Sequence, residues 1–204
     1  MDIELPKVPE LEFNEQRHIY TIGIEQLPSV TTIMRPLSNT LYGGVDEEVL
    51  KLAARRGTAV HNSIENYLKY GVEDIESEFS GYFMGFIKWF IQEKPEPLGM
   101  ETRIYHKYMR YAGTADLPCI IGGKKVVIDY KTSSVVNKML TGVQLEAYSK
   151  AYDSHGFQFD EKHILHLQKD GNYQVVKYQR NDMESWETFN ACMVLYRHIK
   201  KYSA

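Results

Sequence analysis

Val49, Leu50, Ala53, Val60, Ile64, Tyr67 and Leu68 recur at helical spacing, which predicts one long amphipathic helix. Asp46 caps its start, and Tyr70, just before Gly71, is its last residue. Gly57 interrupts the pattern and marks a kink or a second helix start. Another helix is predicted over about Glu78 to Gln92, ended by Lys94-Pro95-Glu96-Pro97. Upstream, Leu11 to Gly23 reads as a short hairpin with Asn14-Glu15-Gln16 near its turn. Ser29 caps a short helix over Val30 to Met34 that stops before Pro36, and Ser38 to Gly44 reads as a loop.

The middle of the chain changes period. Met100 to Tyr108 alternates loosely, and Tyr111 to Ile121 and Lys125 to Tyr130 flank Gly122-Gly123, a strong hairpin signal. Asn137 to Tyr152 is helical. Lys162 to Lys169 and Asn172 to Gln179 form a hairpin around Asp170-Gly171, and Asp182 caps a last helix running towards Lys201. No internal repeat or low-complexity linker interrupts this order. It predicts one α/β domain over residues 1–204, a mixed β-sheet flanked by helices, with an N-terminal hairpin and helix extension at about 1–45.

At 204 residues the chain is long enough to bury a substantial core, and 43% hydrophobic with 25% charged residues is ordinary globular composition. No apolar run approaches the ~18 residues of a membrane span. The acidic start Met1-Asp2-Ile3-Glu4-Leu5-Pro6 lacks the blocks of a signal peptide, so a cytoplasmic protein, in a bacterial or phage-infected cell, is expected. Cys119 and Cys192 are the only cysteines and form no CxxC pair. That argues against a disulfide framework, a zinc site or an iron-sulfur cluster. The net charge of −3 is awkward for a nucleic-acid binder. A metal site concentrates acid locally, however, and Lys51, Arg55, Arg56, Arg103, Lys107, Arg110, Lys124, Lys125, Lys131 and Lys138 can supply basic patches elsewhere. Scattered solvated charges are the plainer alternative for most of them.

The Gly122-Gly123 hairpin concentrates the chemistry. With a two-residue turn, counting outward sets Asp116 opposite Asp129; a four-residue loop sets it opposite Lys131. Asp129 and Lys131, two apart on one strand, share a face in either case. Two carboxylates so close resist joint ionisation, and a divalent cation resolves that conflict. Hard oxygen ligands suit Mg²⁺ or Mn²⁺. A lysine beside them can orient water and offset charge on a phosphate, as phosphodiester hydrolysis requires. The competing reading is an exposed hairpin with ordinary surface charges. Val126-Val127-Ile128 before Asp129 reads instead as a buried strand that ends in charged residues.

Gly113-Thr114-Ala115-Asp116, then Ile128-Asp129-Tyr130-Lys131-Thr132-Ser133, then Gln144 and Tyr148 on a helix, resemble the PD-(D/E)XK nuclease superfamily. Arg56-Gly57-Thr58-Ala59-Val60-His61, followed by Glu65, resembles the helical histidine motif of its RecB-like exonuclease branch. That branch includes phage and prophage exonucleases, the mitochondrial genome maintenance exonuclease and iron-sulfur CRISPR adaptation nucleases. The missing cysteines remove the iron-sulfur type. Ala115 stands where other branches carry proline.

The resemblance implies a restriction-endonuclease-like fold and an Mg²⁺- or Mn²⁺-dependent DNA exonuclease of phage or prophage recombination, replication or repair. His61, Asp116, Asp129 and the backbone carbonyl of Tyr130 would bind metal, and Lys131 would be the catalytic lysine. Gln144 and Tyr148, one helical turn apart, would face the site and hold Lys131 or the DNA backbone. Glu101 would support a second metal or Lys131, and Glu65 would orient His61. Arg56, Thr132 and Ser133 are candidate DNA contacts. The implied partners are single- or double-stranded DNA ends and a single-strand annealing protein, with no membrane. A non-cleaving nucleic-acid-binding module, a structure-specific endonuclease and a structural phage protein are the alternatives. His163 and His166, at odd spacing on a strand, read as structural.

Overall fold

The computed structural model describes residues 3–203. The chain opens with β1 (Leu11–Asn14), β2 (Ile19–Ile22) and β3 (Glu25–Leu27), an antiparallel three-stranded sheet. Next come α1 (Val30–Ile33), α2 (Arg35–Tyr42), α3 (Glu47–Tyr70) and α4 (Ser80–Glu93). The strands β4 (Glu96–Pro97), β5 (Thr102–Tyr105), β6 (Ala112–Ala115), β7 (Leu117–Ile121) and β8 (Lys124–Lys131) follow. The chain ends with α5 (Lys138–Asp153), β9 (Glu161–Leu167), β10 (Tyr173–Tyr178) and α6 (Met183–Tyr202).

The three expected caps are in place, and Asn137, expected inside its helix, caps it instead. Ser29, Asp46, Asn137 and Asp182 each accept a hydrogen bond from a backbone N–H in the first turn of the helix that follows. Gly71 closes α3 with φ of 68°. Two expectations need correction. Ser38 to Gly44 is mostly helical: Pro36 lies in the first turn of α2, where its missing N–H costs nothing, so it starts a helix instead of ending one. Gly57 neither kinks nor divides α3, which is continuous from Glu47 to Tyr70.

The central sheet has the order β10-β9-β8-β7-β4. β8 and β9 are parallel, joined through α5, and the other neighbours are antiparallel. It is a mixed five-stranded sheet flanked by helices. Gly122 and Gly123 both have positive φ, 55° and 79°, as a two-residue hairpin turn requires; Ile121 accordingly faces Lys124 and Leu117 faces Ile128. Val126, Ile128 and Tyr130 of β8 pack with Val60 and Ile64 of α3 and with Phe83, Phe86 and Trp89 of α4. Val127 belongs to the opposite core, with Val143, Ala147 and Ala151 of α5 and Phe189 of α6. Covered on both faces, the strand reads as a continuous apolar run. A buried ion pair between Glu146 and Lys162 ties α5 to β9.

Candidate active site

At Asp116 the chain bends and changes sheet: β6 pairs with β5, whereas β7 pairs with β8. The buried Asp116 carboxylate fills the gap in the ladder. Its Oδ2 accepts a hydrogen bond from the Tyr130 backbone N–H at 2.7 Å. The Asp116 carbonyl in turn accepts one from the Glu101 N–H at 2.9 Å. Glu101 is held in the left-handed region with φ of 47°, a strained conformation for a residue with a Cβ. That backbone brings the Glu101 carboxylate to His61, which α3 delivers one helical turn after Gly57. His61 Nδ1 stands 3.5 Å from Glu101 Oε1 and 3.7 Å from Asp116 Oδ2. The Tyr130 ring lies edge-on to the imidazole at 5.4 Å between centroids. Ligand atoms of His61, Glu101 and Asp116 thus lie within 4.8 Å of one another.

Asp129 and Lys131 lie beside this group, on the face of β8 turned to α5. Gln144 Nε2 donates to Asp129 Oδ1 at 3.0 Å and to the Tyr148 hydroxyl at 3.0 Å. Lys131 Nζ is 2.6 Å from Asp129 Oδ2. This buried oxygen is ion-paired with the ammonium. Gln144 therefore reaches Asp129, not Lys131. Gly113 makes room for Tyr148, because a Cβ there would lie 2.5 Å from the Tyr148 ring.

The electrostatics match this crowding. Burial raises the pKa of Asp116, Asp129 and Glu101 add to it, and His61 offsets only part, leaving it at about 7. Burial opposes charge on His61, but Asp116 and Glu101 prevail and raise its pKa to about 9. Burial likewise opposes charge on Lys131, and Asp129 and Asp116 outweigh it, so its pKa rises. An imidazole and carboxylate oxygens are a donor set for a hard divalent cation. The Asp129 carboxylate lies beside them, its Oδ2 paired with Lys131. The residues present therefore fit such an ion.

Two clefts flank the group. One, of about 690 Å³, is lined by His61, Glu101 and Asp116 together with Phe13, His18 and Tyr20 of the N-terminal hairpin. The other, of about 840 Å³, is lined by Lys131 and Gln144 and by apolar residues including Tyr42, Val49, Leu50 and Val135. Arg56 lines the second cleft, donates to Thr132 Oγ1 at 3.3 Å and lies over the Tyr82 ring. Ser133 is exposed there, its hydroxyl bonded to the Val135 carbonyl, whereas Thr132 is buried. Glu65 lines the first cleft but pairs with Lys69. His163 bonds Glu161 and His166 bonds the Ser133 carbonyl. The hairpin wall was not legible in the sequence. Its approach to the site depends on long-range packing against β5 and β6, which leaves no local motif.

No family model matches the chain, and no curated protein matches it. Similar solved structures include that of SSO0001, at 15% identity and a TM-score of 0.48, covering 86% of this chain and 78% of that one. An alkaline exonuclease from Laribacter hongkongensis, LHK-Exo, is 12% identical with a TM-score of 0.41, over 70% of this chain and 80% of its own. LHK-Exo in complex with dAMP gives 13% identity and a TM-score of 0.36, over 71% and 85%. Among the described residues no helix is long and apolar enough to cross a membrane.

Proposed function

We propose that the chain is an Mg²⁺- or Mn²⁺-dependent DNA nuclease of the PD-(D/E)XK type, acting on strand ends. In this reading residues 1–204 work as one nuclease domain, extended at about 1–45 by the hairpin and short helices. The observation that carries the reading is the gathering of His61, Glu101 and Asp116 ligand atoms within 4.8 Å, against the Asp129–Lys131 pair. His61, Asp116 and Glu101 hold the cation, with Asp129 and the Tyr130 carbonyl completing the set. When bound there, a divalent ion would supply Lewis-acid polarisation of a phosphoryl oxygen and a more acidic water.

The protein's own groups have separable tasks. Lys131, kept charged by its carboxylate neighbours, orients the attacking water and offsets negative charge growing on the phosphorane oxygens. Gln144 fixes the Asp129 carboxylate through Oδ1, while Lys131 is paired with Oδ2. Tyr148, bonded to Gln144, keeps that amide from rotating. The buried N–H of Tyr130 holds Asp116 in place. Exonuclease action rests on the resemblance of the His61 motif to the RecB-like branch.

The test uses end-labelled linear single- and double-stranded DNA and closed circles, in Mg²⁺, Mn²⁺ or EDTA. Metal-dependent loss of linear DNA with circles spared is the expected result. Cut circles make the protein an endonuclease. DNA binding with no cleavage in any metal leaves a binding module instead.

A further inference from the structure

The two clefts beside the acidic group differ in charge. The first is lined by the carboxylates of Glu15, Glu65, Glu101 and Asp116. Its lysine and arginine are each paired with one of these, Lys69 with Glu65 and Arg103 with Glu15. The second is lined by Arg56, Lys131 and Lys138 and by no carboxylate. Lys131 is paired with Asp129. Among the described residues neither Arg56 nor Lys138 has an acid partner. Arg56 donates through Nε to Thr132 Oγ1 at 3.3 Å, and Lys138 is exposed at the start of α5. A polyanion is therefore repelled by the first cleft and drawn to the second.

The second cleft is also apolar in a way that the core does not account for. Helix α2 buries no residue, and α3 buries only Val60, Ser63 and Ile64. Their turns beside the cleft nevertheless carry Tyr42, Val49 and Leu50, which are 41%, 58% and 44% exposed. Val135, 73% exposed in the loop between β8 and α5, belongs to the same lining. Exposed apolar side chains gathered at one cleft mark a binding surface. At about 840 Å³ the cleft is within the usual range for a small-ligand site. Lys131 and Gln144 belong to its lining, so an occupant lies against the residues that hold Asp129.

Resting on the nuclease reading above, we infer that the second cleft seats the DNA strand next to the scissile phosphodiester. One unpaired nucleobase lies among Tyr42, Val49, Leu50 and Val135, and the adjoining backbone phosphates lie at Arg56 and Lys138. A nucleotide has the matching make-up, an apolar base on an anionic backbone. A base inside a duplex keeps its faces stacked and its edge paired, so the strand is single at this nucleotide. Apolar walls and phosphate contacts read no base edge, so the seat gives affinity with little sequence preference.

The experiment uses the wild-type protein and short single-stranded DNAs that carry one photoreactive 5-iodouracil at successive positions. They are irradiated in Ca²⁺, which takes oxygen ligands and compensates the acidic group. Tryptic peptides then show which side chain has joined the base. Attachment at Tyr42, from one position of the scan, is the expected result. Attachment at Phe13, His18 or Tyr20 puts the strand in the first cleft and overturns the proposal, as does binding with no attachment at Tyr42. Cleavage in Mg²⁺ is read in parallel. Attachment at Tyr42 without cleavage in any metal supports the seat and removes the nuclease reading. Cleavage with attachment elsewhere removes the seat alone, and neither binding nor cleavage removes both. Lys138→Gln, at an exposed position, checks the phosphate contact. The slope of log affinity against log salt should fall by about 0.7, and an unchanged slope contradicts it. Val135→Glu sets an acid among the apolar walls and should weaken binding roughly tenfold. Unchanged DNA binding, with a loss of mass in light scattering, marks the wall as a contact between copies and overturns the proposal.

Discussion

Asp116 Oδ2 accepts the backbone N–H of Tyr130 at 2.7 Å, and the same oxygen lies 3.7 Å from His61 Nδ1. One carboxylate thus closes a break in the sheet and faces the cluster that could hold a metal ion. Structure and chemistry can be separated at this residue. Asp116→Asn keeps an oxygen for the Tyr130 N–H, so stability should change by less than about 1 kcal/mol. Mn²⁺ affinity, measured calorimetrically, should fall by more than the ~10–100-fold typical of losing an outer-shell partner. In the wild type the cation must displace protons from His61, with a pKa of about 9, and Asp116, at about 7. Apparent affinity should therefore rise with pH across that interval. A flat profile would contradict this assignment.

Gln144 donates to Asp129 Oδ1 at 3.0 Å, while Lys131 is paired with Oδ2. Gln144→Leu leaves a buried carboxylate oxygen bare, at a cost of about 1–3 kcal/mol. Urea denaturation should report that loss, and the metal-dependent cleavage rate should drop with it. Gln144→Glu should be worse on both counts, because it sets a second negative charge against Asp129. Equal stability of wild type and Gln144→Leu would show that the bond carries no weight.

Gly113→Ala should destabilise by about 1–3 kcal/mol, the usual penalty for overpacking. Its Cβ would overlap the Tyr148 ring at 2.5 Å. Pairing it with Tyr148→Ala, which removes the obstructing ring, should cost less than the sum of the two single changes. Strict additivity in thermal melts would disprove the contact.

Acid should weaken the fold through His106. Burial, then the charge of His155, holds its pKa down at about 4. Its Nδ1 accepts the N–H groups of Tyr108 and Met109 at 3.3 and 3.2 Å, so it must stay unprotonated. The unfolded chain takes up that proton near the ordinary value of 6.5. The contribution is therefore complete above about 6.5 and is lost as pH falls towards 4. Burial depresses His155 and His163 in the same direction. His61 acts oppositely in the metal-free protein: its contribution is present below 6.5 and lost as pH rises through about 9. Asp116, held at about 7, works the other way between pH 7 and pH 5, so the Tm slope there is the sum of both, and His106→Gln should remove the part by which acid weakens the fold. A slope unchanged in the variant would rule out His106 as its source.

Local signals in the sequence carried the helix caps, the Gly122-Gly123 turn and the buried β8 run, because each depends on residues close in the chain. The turn left two registers open, with Asp116 level with Asp129 or with Lys131, and the structure takes the two-residue turn. Counting could not foresee that the chain changes sheet at Asp116, since that depends on β5 pairing with β6. Helix α2 was missed because Pro36 reads as a stop until the helix start is known. In the candidate site, His61, Asp116, Asp129, Lys131, Gln144 and Tyr148 were all named from their motifs. Glu101 was named only in a supporting role, yet it stands in the His61–Asp116 group. Its entry depends on a left-handed backbone held by the Asp116 carbonyl, which no local spacing encodes.

The most direct test of the central claim is the initial rate of cleavage of end-labelled linear DNA in Mg²⁺, for wild type beside Lys131→Ala. The account predicts metal-dependent cleavage that EDTA abolishes and that the variant loses by about 100-fold or more, the scale set by removing one charge-stabilising donor. Equal rates for the two proteins, or cleavage that survives EDTA, would contradict it.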